Sequence, residues 1–134
     1  MERKAIEELV GRWLSCAIRD GNVAIFDELL AETVRDNSGG SELLGSESFK
    51  SRARAVHEAF SSIEVALDQL LIDGDRIAWR WRLTGTHTGA FAGVAASGRR
   101  VTLRGVNFQR VRSEDGRVVE HWTLADFAGL RLSG

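Results

Sequence analysis

The chain has no proline and no tyrosine, one cysteine at position 16, lysine only at positions 4 and 50, and no apolar run approaching the length of a membrane helix. Each absence excludes something. Without tyrosine, no site here can use a phenolic acid or a phenolic oxyanion donor. A single cysteine rules out an intrachain disulfide framework and any cysteine-cluster metal centre, so Cys16 reads as a small core residue. Loops without proline lack their usual stiffener. An excess of either charge is also missing: 18 basic residues face 19 acidic ones. No lopsided field draws in a polyanion, and nucleic acid is not an expected partner. The N-terminus, MERKAIEELV, is charged and amphipathic and lacks the apolar block of a signal peptide. The expected compartment is the cytoplasm, with no membrane partner.

What is present is enough for one domain over residues 1–134, since a chain of this size buries roughly two-thirds of its unfolded surface. From Glu2 to Asp20 the apolar positions Ile6, Leu9, Val10, Trp13, Leu14, Ala17 and Ile18 recur at spacings of three and four, one face of an amphipathic helix. Asp20 to Asn22 breaks it. Asn22 is placed to cap a shorter helix, VAIFDELLA, with Ile25, Phe26, Leu29 and Leu30 inward, so that the two form a hairpin. A short extended piece at Thr33 to Asp36 and a flexible loop follow. Ser46 is placed to cap a third helix whose inner stripe is Phe49, Ala53, Val56, His57 and Phe60.

After Ser62 the period changes from helical spacing to alternation. IEVALDQLLI, RIAWRWRLTGTH, RRVTLRGVNFQRVR and RVVEHWTLAD are four long strands joined by turns such as DGD and SEDG. Helices first and a strand meander after argue for an α+β fold with a strongly curved antiparallel sheet wrapped on three N-terminal helices. Alternation puts Ile77, Trp79, Trp81 and Leu83 on one face, continued by Gly85 and His87. In the next strand Asn107 and Gln109 join that concave face if the period holds through Gly105. Either Gly105 marks a bulge that swaps the faces, or both faces are covered, with Val106 and Phe108 against another subunit. In the last strand Val119, His121, Thr123 and Ala125 share a face, opposite Glu120, Trp122 and Leu124. A concave, mostly apolar surface with a few amides, hydroxyls and imidazoles suits a small organic ligand.

Three segments, GTHTGAFAG, SGRRVTLRGVNFQRV and DGRVVEHWTLADFAGL, resemble the SnoaL-like polyketide cyclases, within the cone-shaped folds named after nuclear transport factor 2. The resemblance implies a cone-shaped α+β barrel and an enzyme that needs no cofactor and no metal. It also implies a homodimer through the outer sheet face and intramolecular aldol closure of a flat, hydrophobic, carbonyl-bearing aromatic substrate. Some relatives are cofactor-independent hydroxylases, and a non-catalytic ligand-binding or association module on the same cone is a further alternative. Two positions depart from the family pattern. The catalytic histidine of the cyclases falls on Asn107 and their aspartate acid/base on Thr123, neither of which exchanges a proton near neutral pH.

An aldol closure needs a base beside a carbonyl and a donor for the developing oxyanion. His87 or His121 is the expected base, Asp126 the acid or the group orienting the imidazole, and Asn107 the oxyanion donor. The expected substrate contacts are Trp13 on the first helix, Asp36 after the extended piece, Trp79 and Trp81 on the floor, and Phe91 on the rim. Asn107, Gln109 and Thr123 complete them. The same two histidines and Asp126 are the residue types of a two-histidine, one-carboxylate iron site, which the resemblance does not support.

Overall fold

The computed structural model describes residues 1–131. Helix α1, Arg3–Arg12, buries Ile6, Leu9 and Val10, as the spacing predicts. It does not stop there: the chain winds on as a wider π-helix over Trp13–Arg19, burying Trp13, Leu14 and Ala17. The Ser15 hydroxyl donates to the Gly11 carbonyl at 2.6 Å, the kind of backbone competition that loosens a helical turn. A single 3-10 turn, Val23–Ile25, leads into a one-turn α2, Phe26–Leu29, and the expected second helix is cut short because strand β1 starts at Leu30. Helix α3 spans Glu47–Ala59.

Local details depart from expectation at the caps and at one histidine. Neither Asn22 nor Ser46 caps its helix through the side chain. Instead the Ser46 carbonyl accepts from the Lys50 amide, while the neighbouring Ser48 hydroxyl is used elsewhere. Phe49, Ala53 and Phe60 are buried as predicted, but His57 is exposed. Its ring lies over Gly21, where a Cβ would come within 2.8 Å of it, and Gly21 has a φ of +71°. His57 therefore covers the turn and is not core.

The strands are β1 Leu30–Asp36, β2 Leu43–Leu44, β3 Phe60–Asp73, β4 Arg76–His87, β5 Arg100–Val111 and β6 Val118–Asp126. They form one open sheet in the order β2-β1-β6-β5-β4-β3. The expected sheet is all antiparallel, but β1 runs parallel to β6. The reason is connectivity: β1 comes from the helical half of the chain and joins the sheet beside its last strand, so the fold is mixed α+β and the cone stays unclosed. No helix among the described residues is long and apolar enough to cross a membrane.

Curvature comes from β3. Its pairing with β4 shifts between Ser61 and Glu64 and again between Leu67 and Gln69. The first irregularity contains Ser62 at φ +50°, and the second makes room for Asp68, which pairs with Arg82 at 2.9 Å. The second shift also overturns the simple alternation expected for this strand. Leu70 is buried, whereas Leu67 and Leu71 are exposed. A bulged strand bends and twists more strongly, and here it bends around the helices.

The β4–β5 register is continuous, so Gly105 is not a bulge. A Cβ there would lie 2.2 Å from Cζ2 of Trp81, and glycine is what lets that indole lie across the neighbouring strand. Asn107 and Gln109 are consequently buried on the concave face, while Phe108 is exposed on the other. The main core packs Val10, Trp13, Phe26 and Phe49 from the helices against Ile77, Trp79, Val111 and Val118 from the sheet. A second cluster at the other end of the sheet contains Ala59, Phe60, Leu83, Val101, Leu103 and Leu130. Gly105→Ala is expected to cost about 1–3 kcal/mol through overpacking against Trp81. Urea denaturation should show this, with Gly39→Ala, where the added methyl meets nothing within 4 Å, close to wild type.

Candidate functional site

The helices do not fill the sheet's concavity, and a cavity of about 190 Å³ remains. Its walls are aromatic and aliphatic. Trp13 and Phe26 come from the N-terminal helices, Phe49 and Val56 from α3, Trp79, Trp81 and Leu83 from β4, and Phe91 with Phe127 from the rim. The polar lining consists of Arg52, Asn107, His121 and Thr123.

Two parallel relays across β4, β5 and β6 orient these groups. An indole N–H can only donate, so whichever amide it meets must offer its oxygen. Trp79 Nε1 donates to Gln109 Oε1 at 3.1 Å. That leaves Gln109 Nε2, a donor, against Nδ1 of His121 at 3.0 Å. Nδ1 therefore accepts, and the neutral imidazole carries its proton on Nε2. Trp81 Nε1 donates to Asn107 Oδ1 at 3.1 Å, and the Thr123 hydroxyl donates to the same oxygen at 2.6 Å. The Asn107 nitrogen is the end left for the cavity. Register explains both relays: Asn107 pairs with Thr123 and Gln109 with His121 across β5–β6, and each indole reaches diagonally from β4.

His121 is almost fully buried, stacked on Trp13 with ring centroids 5.2 Å apart and packed on Phe49 at 4.9 Å. Burial, and after it the Arg52 charge, push its imidazole down to about 3, with Asp36 pulling weakly the other way. It is neutral at neutral pH.

Asp36 lies behind this wall. Burial alone would raise its carboxyl, but hydrogen bonds from Ser38 N–H at 3.1 Å, Ser48 O–H at 2.7 Å and Arg52 at 2.6 Å, together with the guanidinium charge, outweigh it. The carboxyl is held at about 2. Arg52 in turn sits 5.2 Å above the Phe49 ring, so one guanidinium joins the carboxylate, an aromatic wall and the cavity.

The expected site residues are thus only partly brought together. Trp13, Trp79, Trp81, Phe91, Asn107, His121 and Thr123 line the cavity. Gln109 stands one layer behind, with both ends of its amide engaged. Asp36 meets the cavity through Arg52. His87 is fully buried but outside the lining, stacked on Phe60 at 5.4 Å, and Phe60 packs in turn on Phe91. Its Nδ1 lies 3.2 Å from Ser97 Oγ, and its Nε2 is sealed without a partner. Asp126 is on the opposite face of β6 from His121, where it accepts from the Ala128 amide at 2.9 Å. Alternation separates the two by a five-residue offset, and among the described residues no group of three or more histidine, cysteine or acidic side chains is arranged to hold a metal ion. Arg52 is the residue that sequence reasoning missed. Its spacing of three from Phe49 puts it on the edge of the inner stripe, the one signal available.

The sequence matches a known family along nearly the whole chain: the family model of the SnoaL-like polyketide cyclases matches residues 8–132. The chain belongs to this family. Among solved structures, TsrD from Streptomyces laurentii is similar at 24% identity with a TM-score of 0.85, covering 98% of this chain and 95% of that one. AclR, a candidate hydroxylase from Streptomyces galilaeus, is 26% identical with a TM-score of 0.78, over 92% and 90% of the two chains. IdmH, a candidate polyketide cyclase from Streptomyces antibioticus, is 26% identical with a TM-score of 0.77, over 93% and 94%. No functionally curated protein matches by sequence. SnoaL-like proteins bind small-molecule ligands, and in this chain Asn107 and Thr123, on which the resemblance places the cyclases' acid/base pair, are bonded to each other at the cavity wall.

The Asp36 carboxyl supplies a pH test with a defined sign. Its folded pKa lies below the unfolded value, so its contribution is complete above about pH 4 and is lost as pH falls through about 2. Asp36→Asn should lose up to about 2 kcal/mol at neutral pH, and the stabilities of the two proteins should converge on acidification between those limits. Denaturation midpoints measured against pH would show it.

Proposed function

We propose that this SnoaL-like chain is a cofactor-independent, polyketide-cyclase-type enzyme acting on a hydrophobic, carbonyl-bearing aromatic substrate held in the cone. The observation that carries the reading is the aromatic-walled cavity of about 190 Å³ into which His121 and Asn107 present fixed hydrogen-bond donors. In an intramolecular aldol closure a C–H beside one carbonyl loses its proton to solvent water, since no lining side chain accepts it, the enolate carbon attacks a second carbonyl, and the new alkoxide takes a proton back from water. A C–C bond forms and the product keeps the substrate's mass. Donors fixed before the reaction stabilise the enolate and alkoxide oxygens without reorganising, and removal of one such donor costs on the order of 100-fold in turnover. In this reading His121 and Asn107 touch the substrate. His87 stands behind Phe60 and Phe91, and Asp126 stands on the convex face, so neither is assigned contact with the reacting atoms.

A second reading has its own support. None of the polar lining groups is a base at neutral pH: His121 is held at about 3, and Arg52, Asn107 and Thr123 do not accept protons there. That favours a ligand-binding module without catalysis. The two separate on a naphthalene β-keto ester bearing a side-chain ketone, with ring closure followed by chromatography and mass spectrometry. The enzyme reading expects closure at unchanged mass, slowed about 100-fold by Asn107→Leu and by His121→Phe. Tight binding of the compound with no closure supports the module, and closure unaffected by either substitution contradicts the enzyme reading's site.

The convex face supports a homodimer. Leu71, Ala78, Phe108 and Trp122 form one cross-strand row over four strands, with Leu124 in the next. Phe108 and Leu124 are 52% and 72% exposed, so the row presents contiguous apolar side chains of the kind that mark an association surface. Sedimentation should find a dimer at micromolar concentration that Phe108→Glu converts to monomer, and a monomeric wild-type protein would remove this assignment.

A further inference from the structure

The proposed function leaves open which form of the substrate the cavity takes, and the hydrogen-bond inventory addresses that. We propose that the cavity binds its flat, carbonyl-bearing aromatic ligand as the oxyanion, an ionised phenol or the enolate of a 1,3-dicarbonyl. Trp79 and Gln109 are positioning residues that make His121 a donor to that oxygen, and Asn107 is the second donor. The inference rests on the reading of the cavity as a ligand site, though not on the site being catalytic.

The inventory is one-sided. The acceptor atoms near the cavity are already occupied: Asn107 Oδ1 takes two hydrogen bonds, Gln109 Oε1 takes one from Trp79, and His121 Nδ1 takes one from Gln109. The Thr123 oxygen is the one acceptor left among the lining side chains. Against it stand the His121 Nε2–H, the Asn107 amide N–H groups and the Arg52 guanidinium, all donors. His87 shows what a sealed imidazole looks like in this fold, with an orphaned Nε2, whereas His121 lines the cavity and its Nε2 is not among the sealed, unpartnered atoms of the described residues.

Charge points the same way. The charged groups around His121 are Arg52 from α3 and Asp36 from β1, which are bonded to each other. Helix α1 contributes Trp13, α3 also Phe49, and β5 the neutral Gln109 and Asn107. With the ion pair internally balanced, the cavity has no net charge of its own and is lined by fixed N–H dipoles. In an apolar surround such dipoles favour an anionic oxygen over the corresponding hydroxyl. A hydroxyl placed there meets donors on every side and has little to donate to. No lining group takes up the ligand's proton, so it leaves to solvent as the anion binds.

The test uses 7-hydroxycoumarin, a flat lactone-bearing phenol whose ionised form has its own absorption, and 7-methoxycoumarin, which has no acidic proton. With the full-length wild-type protein, binding is expected to lower the phenol's pKa by about one unit, equivalent to roughly tenfold tighter binding of the phenolate than of the phenol. The methoxy compound should bind with no pH dependence across the same range. Gln109→Leu releases the His121 tautomer and should erase most of the phenolate preference while leaving 7-methoxycoumarin affinity within about twofold. A bound phenol whose pKa is unchanged or raised overturns the proposal, and so does a Gln109→Leu protein that weakens both compounds equally, which is the mark of a merely structural role. Should Gln109→Leu fail to fold, Gln109→Met, which keeps the side-chain length and removes the same donor to His121, carries the same two outcomes. Phenolate preference without ring closure of the keto ester keeps this inference and removes the catalytic reading. Ring closure without phenolate preference does the reverse.

Discussion

Two indole N–H groups set the chemistry of this cavity. Trp79 and Trp81 lie side by side on β4, and each can only donate. That single fact turns Gln109 and Asn107 to offer their oxygens, leaves Gln109 to donate to His121, and leaves Asn107 to present its nitrogen. Five side chains on three strands thereby have one orientation each. The backbone is arranged to permit it: Gly105 vacates the space that the Trp81 ring needs, and the unbroken β4–β5 register keeps both amides on the concave face.

The rest of the fold serves to keep those relays buried. Helix α1 widens at Trp13, which brings one tryptophan flat against His121 and edge-on to Trp79. The bulges in β3 bend the sheet around the helices, and α3 closes the far wall with Phe49 and Arg52. A buried amide network is costly when partly satisfied and specifying when complete. Here the protein atoms of both relays are satisfied apart from the donors that face the cavity, which places the unspent hydrogen-bonding capacity where a ligand goes.

Much of this was legible in the sequence. Alternation along β4 puts Trp79 and Trp81 on one face, Asn107 and Gln109 join it on one of the two readings of Gly105, which the unbroken β4–β5 register selects, and the helical spacing around Trp13 and Phe49 predicts their burial. What one-dimensional patterning does not carry is lateral. The parallel pairing of β1 with β6, the second bulge of β3 and the Arg52–Asp36 ion pair depend on which strands become neighbours. Roles were harder than places. An imidazole on a concave face suggests a base, but the direction of a hydrogen bond from Gln109, itself set by Trp79, makes His121 a donor. Asp126 follows from the same arithmetic: five residues from His121 is an odd offset, and an odd offset on a strand means the other face.

The tautomer of His121 is the point on which the account turns, and nitrogen NMR reads it directly. In protein labelled with ¹⁵N at histidine, Nδ1 of His121 should show the shift of an unprotonated ring nitrogen and Nε2 that of a protonated one. Both should stay unchanged as pH is lowered through the ordinary histidine range near 6.5, because the group is held at about 3. A proton on Nδ1, or an imidazolium with a midpoint near 6.5, would contradict it.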